Sequence, residues 1–218
     1  MVVLTTGPLW FQGYDIAFNV IFAIIPLFIA GLSYKAKKLT GEKKYATFGA
    51  AFLLIAISYL LFVLFTFLIR IELITSLLQT FDFVFFLHMV LMLTALMLLA
   101  ITILKIKDKK VISLLFILLL IFILFSYQYY IKFHIIAFFL LAFLTWQFNS
   151  NYNKNKNINS KFVFISFFLL TCSHIFFTAI RIGPSMHVAG EAFQLLGFIL
   201  LFLVLIRVVT HGRKKRKT

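Results

Sequence analysis

The sequence predicts an all-α polytopic membrane protein, a bundle of seven transmembrane helices, and three observations carry that prediction. Of 218 residues, 63% are hydrophobic and only 12% charged, with 30 Phe and a mean hydropathy of +1.09. A soluble domain carries about half its residues as apolar and about a quarter as charged. Seven apolar runs reach, or come close to, the roughly 20 residues a helix needs to cross the hydrocarbon core. The basic residues fall in short blocks between alternate runs. This composition excludes a disordered, collagenous or disulfide-stapled chain, and the single Cys172 cannot form an intramolecular disulfide. The formal net charge of +15 and pI of about 10.1 reside in those blocks, so they speak for membrane topology rather than for nucleic acid.

The first run covers about residues 14–34. No Lys or Arg precedes it and no cleavage site follows, so it is read as a retained helix rather than a signal peptide. The second and third cover about 46–68 and 82–104. The fourth and fifth, about 111–128 and 131–148, are divided only by Tyr127-Gln128-Tyr129-Tyr130, a tight turn whose rings suit the membrane interface. The sixth and seventh cover about 161–181 and 186–208. Between the fifth and sixth, Asn149 to Ser160 reads as a mobile Asn/Lys-rich loop. The basic tail after His211 reads as a stop signal facing lipid headgroups.

The distribution of positive charge fixes the orientation. With the N-terminus outside, the cytoplasmic segments hold Lys35, Lys37, Lys38, Lys43 and Lys44; then Lys105, Lys107, Lys109 and Lys110. Lys154, Lys156 and Lys161 follow, and the tail adds Arg207, Arg213, Lys214, Lys215, Arg216 and Lys217. These are 18 of the 21 basic residues, and only Arg70, Lys132 and Arg181 fall elsewhere. A wrong helix count would scramble this alternation. The expectation is one integral domain over 1–218 in the cell membrane, N-terminus outside and C-terminus cytoplasmic. Its partners would be the bilayer and other membrane subunits, and not nucleic acid.

Residues 51–62 (AFLLIAISYLLF) align without gaps on 166–177 (SFFLLTCSHIFF), sharing Phe, Leu, Ser and Phe at four of twelve positions. That level is close to chance for two Phe/Leu-rich segments. Read as a duplication, it makes the chain three helices, a linker helix and three more, the parallel-repeat plan of some membrane folds. It pairs Tyr59 with His174 and His88 with Gln194. Two stretches also resemble small seven-helix membrane proteins of archaea: Tyr34-Lys35 followed by Leu39-Thr40-Gly41-Glu42-Lys43-Lys44-Tyr45, and His187-x-x-Gly190-Glu191-x-x-Gln194-Leu195-Leu196-Gly197-Phe198. This resemblance covers about a quarter of the chain, and it implies topology and no activity.

Polar side chains inside a bilayer cost several kcal/mol unless paired, which makes them functional candidates. Spacings of three, four and seven place His187, Glu191 and Gln194 on one stripe of helix seven, and Thr171, His174, Thr178 and Arg181 on one stripe of helix six. Helix two offers Tyr59, Thr66 and Arg70, helix one Gln12, Asp15 and Asn19, helix three Asp82 and His88, and helix five His134. In the predicted topology all of these lie in the outer half. The inner segments Leu91 to Leu104, Phe162 to Leu170 and Phe198 to Ile206 are almost wholly apolar. That pattern describes a site open to the outside and speaks against a continuous path, as a channel or transporter would need.

His88 lies roughly 9 Å below the outer end of helix three and His174 roughly 10 Å below that of helix six, at 1.5 Å per residue. Two His at one depth on different helices suit bis-His ligation of haem b, for an electron carrier. Arg70 and Arg181 would then meet the propionates, and Tyr59 would line the site. The alternative set of His88, His174, His187 and Glu191 suits a transition metal. Three further readings stand beside these: interhelical hydrogen bonds of about 0.6 to 2 kcal/mol each, with Glu191 paired to Arg181 or Arg70; a pocket for an organic ligand in a receptor-like sensor or accessory subunit; and transport of a small solute by alternating access of the two repeats, against which the apolar inner halves speak. His134, close to Lys132, reads as a surface anchor, and Cys172 and the Met89, Met92 and Met97 set as packing.

Helix seven has no Lys for retinal between His187 and Arg207. No phosphate-binding Gly loop, H-E-x-x-H or C-x-x-C is present. Ser173 or Ser185 with His174 and Asp82 lacks the strained turn that positions a nucleophile, so catalysis is not expected.

Overall fold

The computed structural model describes residues 7–11, 13–70, 78–124 and 129–214. All regular structure among them is helical: α1 Tyr14–Thr40, α2 Lys44–Arg70, α3 Leu78–Leu104, α4 Lys109–Leu124, α5 Tyr129–Asn155, α6 Ile158–Thr178 and α7 Ser185–Lys214, with 3-10 turns at Leu9–Phe11 and Ala179–Arg181. Six of the helices, all but α4, are long and apolar enough to cross a membrane. The fold is therefore compatible with an integral membrane protein. The described part of α4 has 16 residues; the turn at Tyr127-Gln128 expected to close it, residues Lys215 to Lys217 of the tail, and the side chains of Arg213 and Lys214 lie outside the described ones.

Local chemistry sets the helix ends. Asp15 accepts from the backbone N–H groups of Gly13 and Ile16, at 2.8 and 2.9 Å, and so satisfies donors at the start of α1. At its other end Gly41 takes φ 74, a left-handed conformation a Cβ would oppose, and its N–H closes on the Lys37 carbonyl. The expected mobile loop at Asn149–Ser160 is instead largely helical: α5 runs on to Asn155 and α6 starts at Ile158. Two side-chain bonds explain this. Asn155 donates to Asn151 one turn back at 2.7 Å, and Asn157 caps α6 by accepting from the Asn159 N–H at 2.9 Å.

Six helices close into a ring in the order α1, α2, α3, α5, α6, α7, while α4 lies outside it against α3. The neighbour relations of α1–α3 recur in α5–α7, and the junction of α3 with α5 matches that of α7 with α1. Burial follows the same correspondence. Ala51, Phe52, Ile55, Ala56, Ser58 and Tyr59 of α2 are buried, and so are the aligned Ser166, Phe167, Leu170, Thr171, Ser173 and His174 of α6. Phe22, Ala23, Pro26, Ala30 and Ser33 of α1 match Phe133, His134, Ala137, Leu141 and Leu144 of α5; His88, Met92, Ala95 and Leu99 of α3 match Gln194, Phe198, Leu201 and Leu205 of α7. The faintest sequence signal thus coincides with a strong pattern of burial.

Candidate functional site

Each helix of the ring sends one large side chain to a common layer: Phe22, Tyr59, His88, Phe133, His174 and Gln194, in ring order. Ring centroids stand 5.4 Å apart for Phe22–Tyr59, 5.0 Å for Tyr59–His88, 5.7 Å for His88–Phe133 and 5.9 Å for Phe133–His174. Gln194 joins the layer by donating from Nε2 to the Tyr59 hydroxyl. Polar side chains of packed helices in a bundle find hydrogen-bond partners on neighbouring helices.

Ser58 Oγ donates to the His88 carbonyl at 3.0 Å and lies 2.7 Å from His88 Nδ1. With its single proton committed to the carbonyl, the hydroxyl is consistently assigned as acceptor from Nδ1–H, leaving His88 Nε2 as the acceptor nitrogen. His134 Nδ1 faces His174 Nδ1 at 3.0 Å. His187 Nε2 pairs with Glu191 Oε1 at 3.2 Å within α7. One turn below His174, Thr145 and Thr171 share a 2.8 Å hydrogen bond between α5 and α6. The N-terminal turn covers the His187 end: Phe11 is buried and stands 6.1, 5.6 and 6.3 Å from the rings of Tyr14, Phe18 and His187.

Beneath the layer a central cavity of about 10 Å³ has room for roughly one water. Its walls include three matched pairs, Phe52 with Phe167, Ile55 with Leu170 and Met92 with Phe198, together with Leu96, Leu99 and Leu141, and its roof is His174 and Gln194.

The structure gathers Tyr59, His88, His174, Glu191 and Gln194 in the bundle interior, all at most 7% exposed, with His187 half-buried beside them. Two expectations need correction. His134 is no surface anchor: it is 6% exposed and bonds His174, because α5 turns this face into the ring while Lys132 remains outside. Glu191 takes His187 as its partner, and Arg181 sits exposed in the 3-10 turn after α6. Gln12 and the side chains of Arg70 and Asp82 lie outside the described residues. Phe22, Phe133 and Ser58 went unnoticed in the sequence; the alignment of Ser58 with Ser173 was the one signal that could have found any of them.

These residues fit neither haem nor a metal. Bis-His ligation needs a macrocycle between the two imidazoles, yet the Phe133 ring touches both His88 and His174. The cavity directly beneath them, about 10 Å³, compares with roughly 300–1,000 Å³ for ordinary ligand pockets. No group of three or more His, Cys, Asp or Glu among the described residues is placed to hold a metal ion. Protein produced with ample haem is expected to purify colourless; a Soret band that vanishes in His88→Ala or His174→Ala would overturn this.

No family model, curated protein or solved structure matches the chain.

Proposed function

We propose that the chain crosses the membrane seven times as one integral domain, N-terminus outside and C-terminus in the cytoplasm, and carries a small hydrogen-bonding solute by alternating access. In this reading α1–α3 and α5–α7 are the two moving halves and α4 joins them. Transporters built from repeats place their site where the halves meet. The observation that carries the reading is the Tyr59, His88, His174 and Gln194 layer, drawn from matched positions of both triplets, with the Tyr59–Gln194 bond spanning them. The apolar inner segments that spoke against transport become a closed inner gate, since the cavity below the layer is walled by apolar side chains of both triplets.

Cysteine accessibility tests this without knowing the solute. In a Cys172→Ser background, Leu99→Cys or Leu141→Cys, both buried cavity walls, is expected to react slowly with a membrane-impermeant maleimide from the cytoplasmic side of oriented vesicles. Asp108→Cys is expected to react fast from that side only, and Ile182→Cys, 81% exposed, from the outer side only. Wall cysteines that stay unlabelled from the cytoplasmic side sink alternating access, and reversed controls sink the orientation.

A further inference from the structure

We propose that His134 and His174 form a single proton-binding site, two imidazoles that take up one proton and share its charge across the hydrogen bond between their facing Nδ1 atoms. The inference deepens the transport reading by naming the coupling ion, and only that role rests on the reading.

The geometry is that of a hydrogen bond, not of a metal bridge. The two Nδ1 atoms are 3.0 Å apart, within the N–H···N range, whereas two nitrogens at roughly 2.0–2.1 Å from one tetrahedral zinc would stand about 3.3 Å apart and need further ligands. In the neutral pair, one Nδ1 carries hydrogen and the other accepts. His134 Nε2 is buried without a hydrogen-bond partner. If His134 donates through Nδ1–H, that nitrogen is a bare base; if it accepts, Nε2–H is an unspent donor. Added to the first tautomer, a proton at Nε2 leaves Nδ1–H to be shared with the partner ring. In the second, the proton enters at the His174 ring and the shared bond is again kept. One proton is thereby held by two bases, and a second would put two like charges about a hydrogen bond apart.

The ionisable groups that act on His134 are His174, His88 from α3 and His187 from α7, with the Tyr130 ring 4.5 Å away on α5 itself. Of the buried Glu191 carboxylate, Oε1 pairs with His187, and Oε2 is buried without a hydrogen-bond partner. Phe177 stands between the pair and the outer end, its ring 4.7 Å from His134, 5.9 Å from His174 and 5.5 Å from His187. A proton entering from outside would pass that ring. The other triplet has Ala23 and Tyr59 at the matched positions, so the pair has no counterpart there.

That asymmetry supplies the control. The double change His134→Ala with His174→Tyr installs side chains the first triplet already accommodates, and His134→Gln is a milder second variant. The test is imidazole nitrogen NMR on histidine-labelled protein in nanodiscs, titrated from alkaline to acid pH, with rings assigned by single substitution. The signals of His134 and His174 are expected to move together at one midpoint, with about one proton taken up per chain that both variants lose. Rings that stay neutral to about pH 4, or that titrate at independent midpoints, overturn the proposal. If the rings stay neutral while the wall cysteines still label from inside, proton coupling fails and transport stands. If the pair titrates jointly and the walls never label, the proton site stands and transport fails.

Discussion

Gly190→Val is expected to destabilise the bundle by about 2–3 kcal/mol, lowering the melting temperature of the detergent-solubilised protein by roughly 4–12 °C. A Cβ at Gly190 would come within 2.6, 2.7 and 3.0 Å of three atoms of the Phe177 ring. That ring cannot swing aside freely, because the imidazoles of His134, His174 and His187 surround it. Replacing Gly in a helix interior would by itself gain only some tenths of a kcal/mol up to about 1, so the overlap decides the sign. Gly31→Val is the control: a Cβ there meets nothing within 4 Å, and little change is expected. Adding Phe177→Ala to Gly190→Val should cost less than the two changes separately, because the clash is gone. Equal melting points for Gly190→Val and wild type would show that α6 and α7 are not in this close contact.

The same glycine shows what the sequence makes legible. Helix number, the rough bounds of each span and the stripe of His187, Glu191 and Gln194 follow from length and from three-and-four spacing, which depend on one helix at a time. Gly190 and Gly197 stood in that stripe too, but a glycine's purpose depends on what faces it. At Gly197 the facing atoms belong to Leu170 and the Ser166 carbonyl, 2.9–3.0 Å from a Cβ, and no local pattern names them. His134 was misjudged for the same reason. Its neighbour Lys132 suggested the interface, while its partner His174 is 40 residues away. The His88 and His174 pair shows the converse: both stand against the Phe133 ring in one layer, and a ring between them is invisible to an argument from depth. The weak alignment of α2 with α6 gained its meaning only from burial, since identity among Phe/Leu-rich helices carries little information while the choice of which positions face the ring carries much.

The bond between Tyr59 and Gln194 carries the second large effect. It ties α2 to α7 between side chains that are 7% and 3% exposed. Tyr59→Phe removes the acceptor and leaves the Gln194 amide donor facing aromatic carbon, with Phe22 and His88 on either side of the ring. Gln194→Leu removes the donor and leaves the phenol alone. A buried polar group stripped of its partner costs about 1–3 kcal/mol, whereas replacing both partners by apolar groups of similar shape is nearly neutral. Each single change is therefore expected to lower the melting temperature, and the double Tyr59→Phe with Gln194→Leu to recover most of the loss. A double variant as unstable as the sum of the singles would mean that the two side chains act independently. If the two triplets move against each other, this bond is also a latch between them. The stable double variant should then label several-fold faster than wild type at Leu99→Cys from the cytoplasmic side. Labelling unchanged in a well-folded double variant would make the bond interhelical glue, and would leave the closing of the inner gate to the apolar pairs below it.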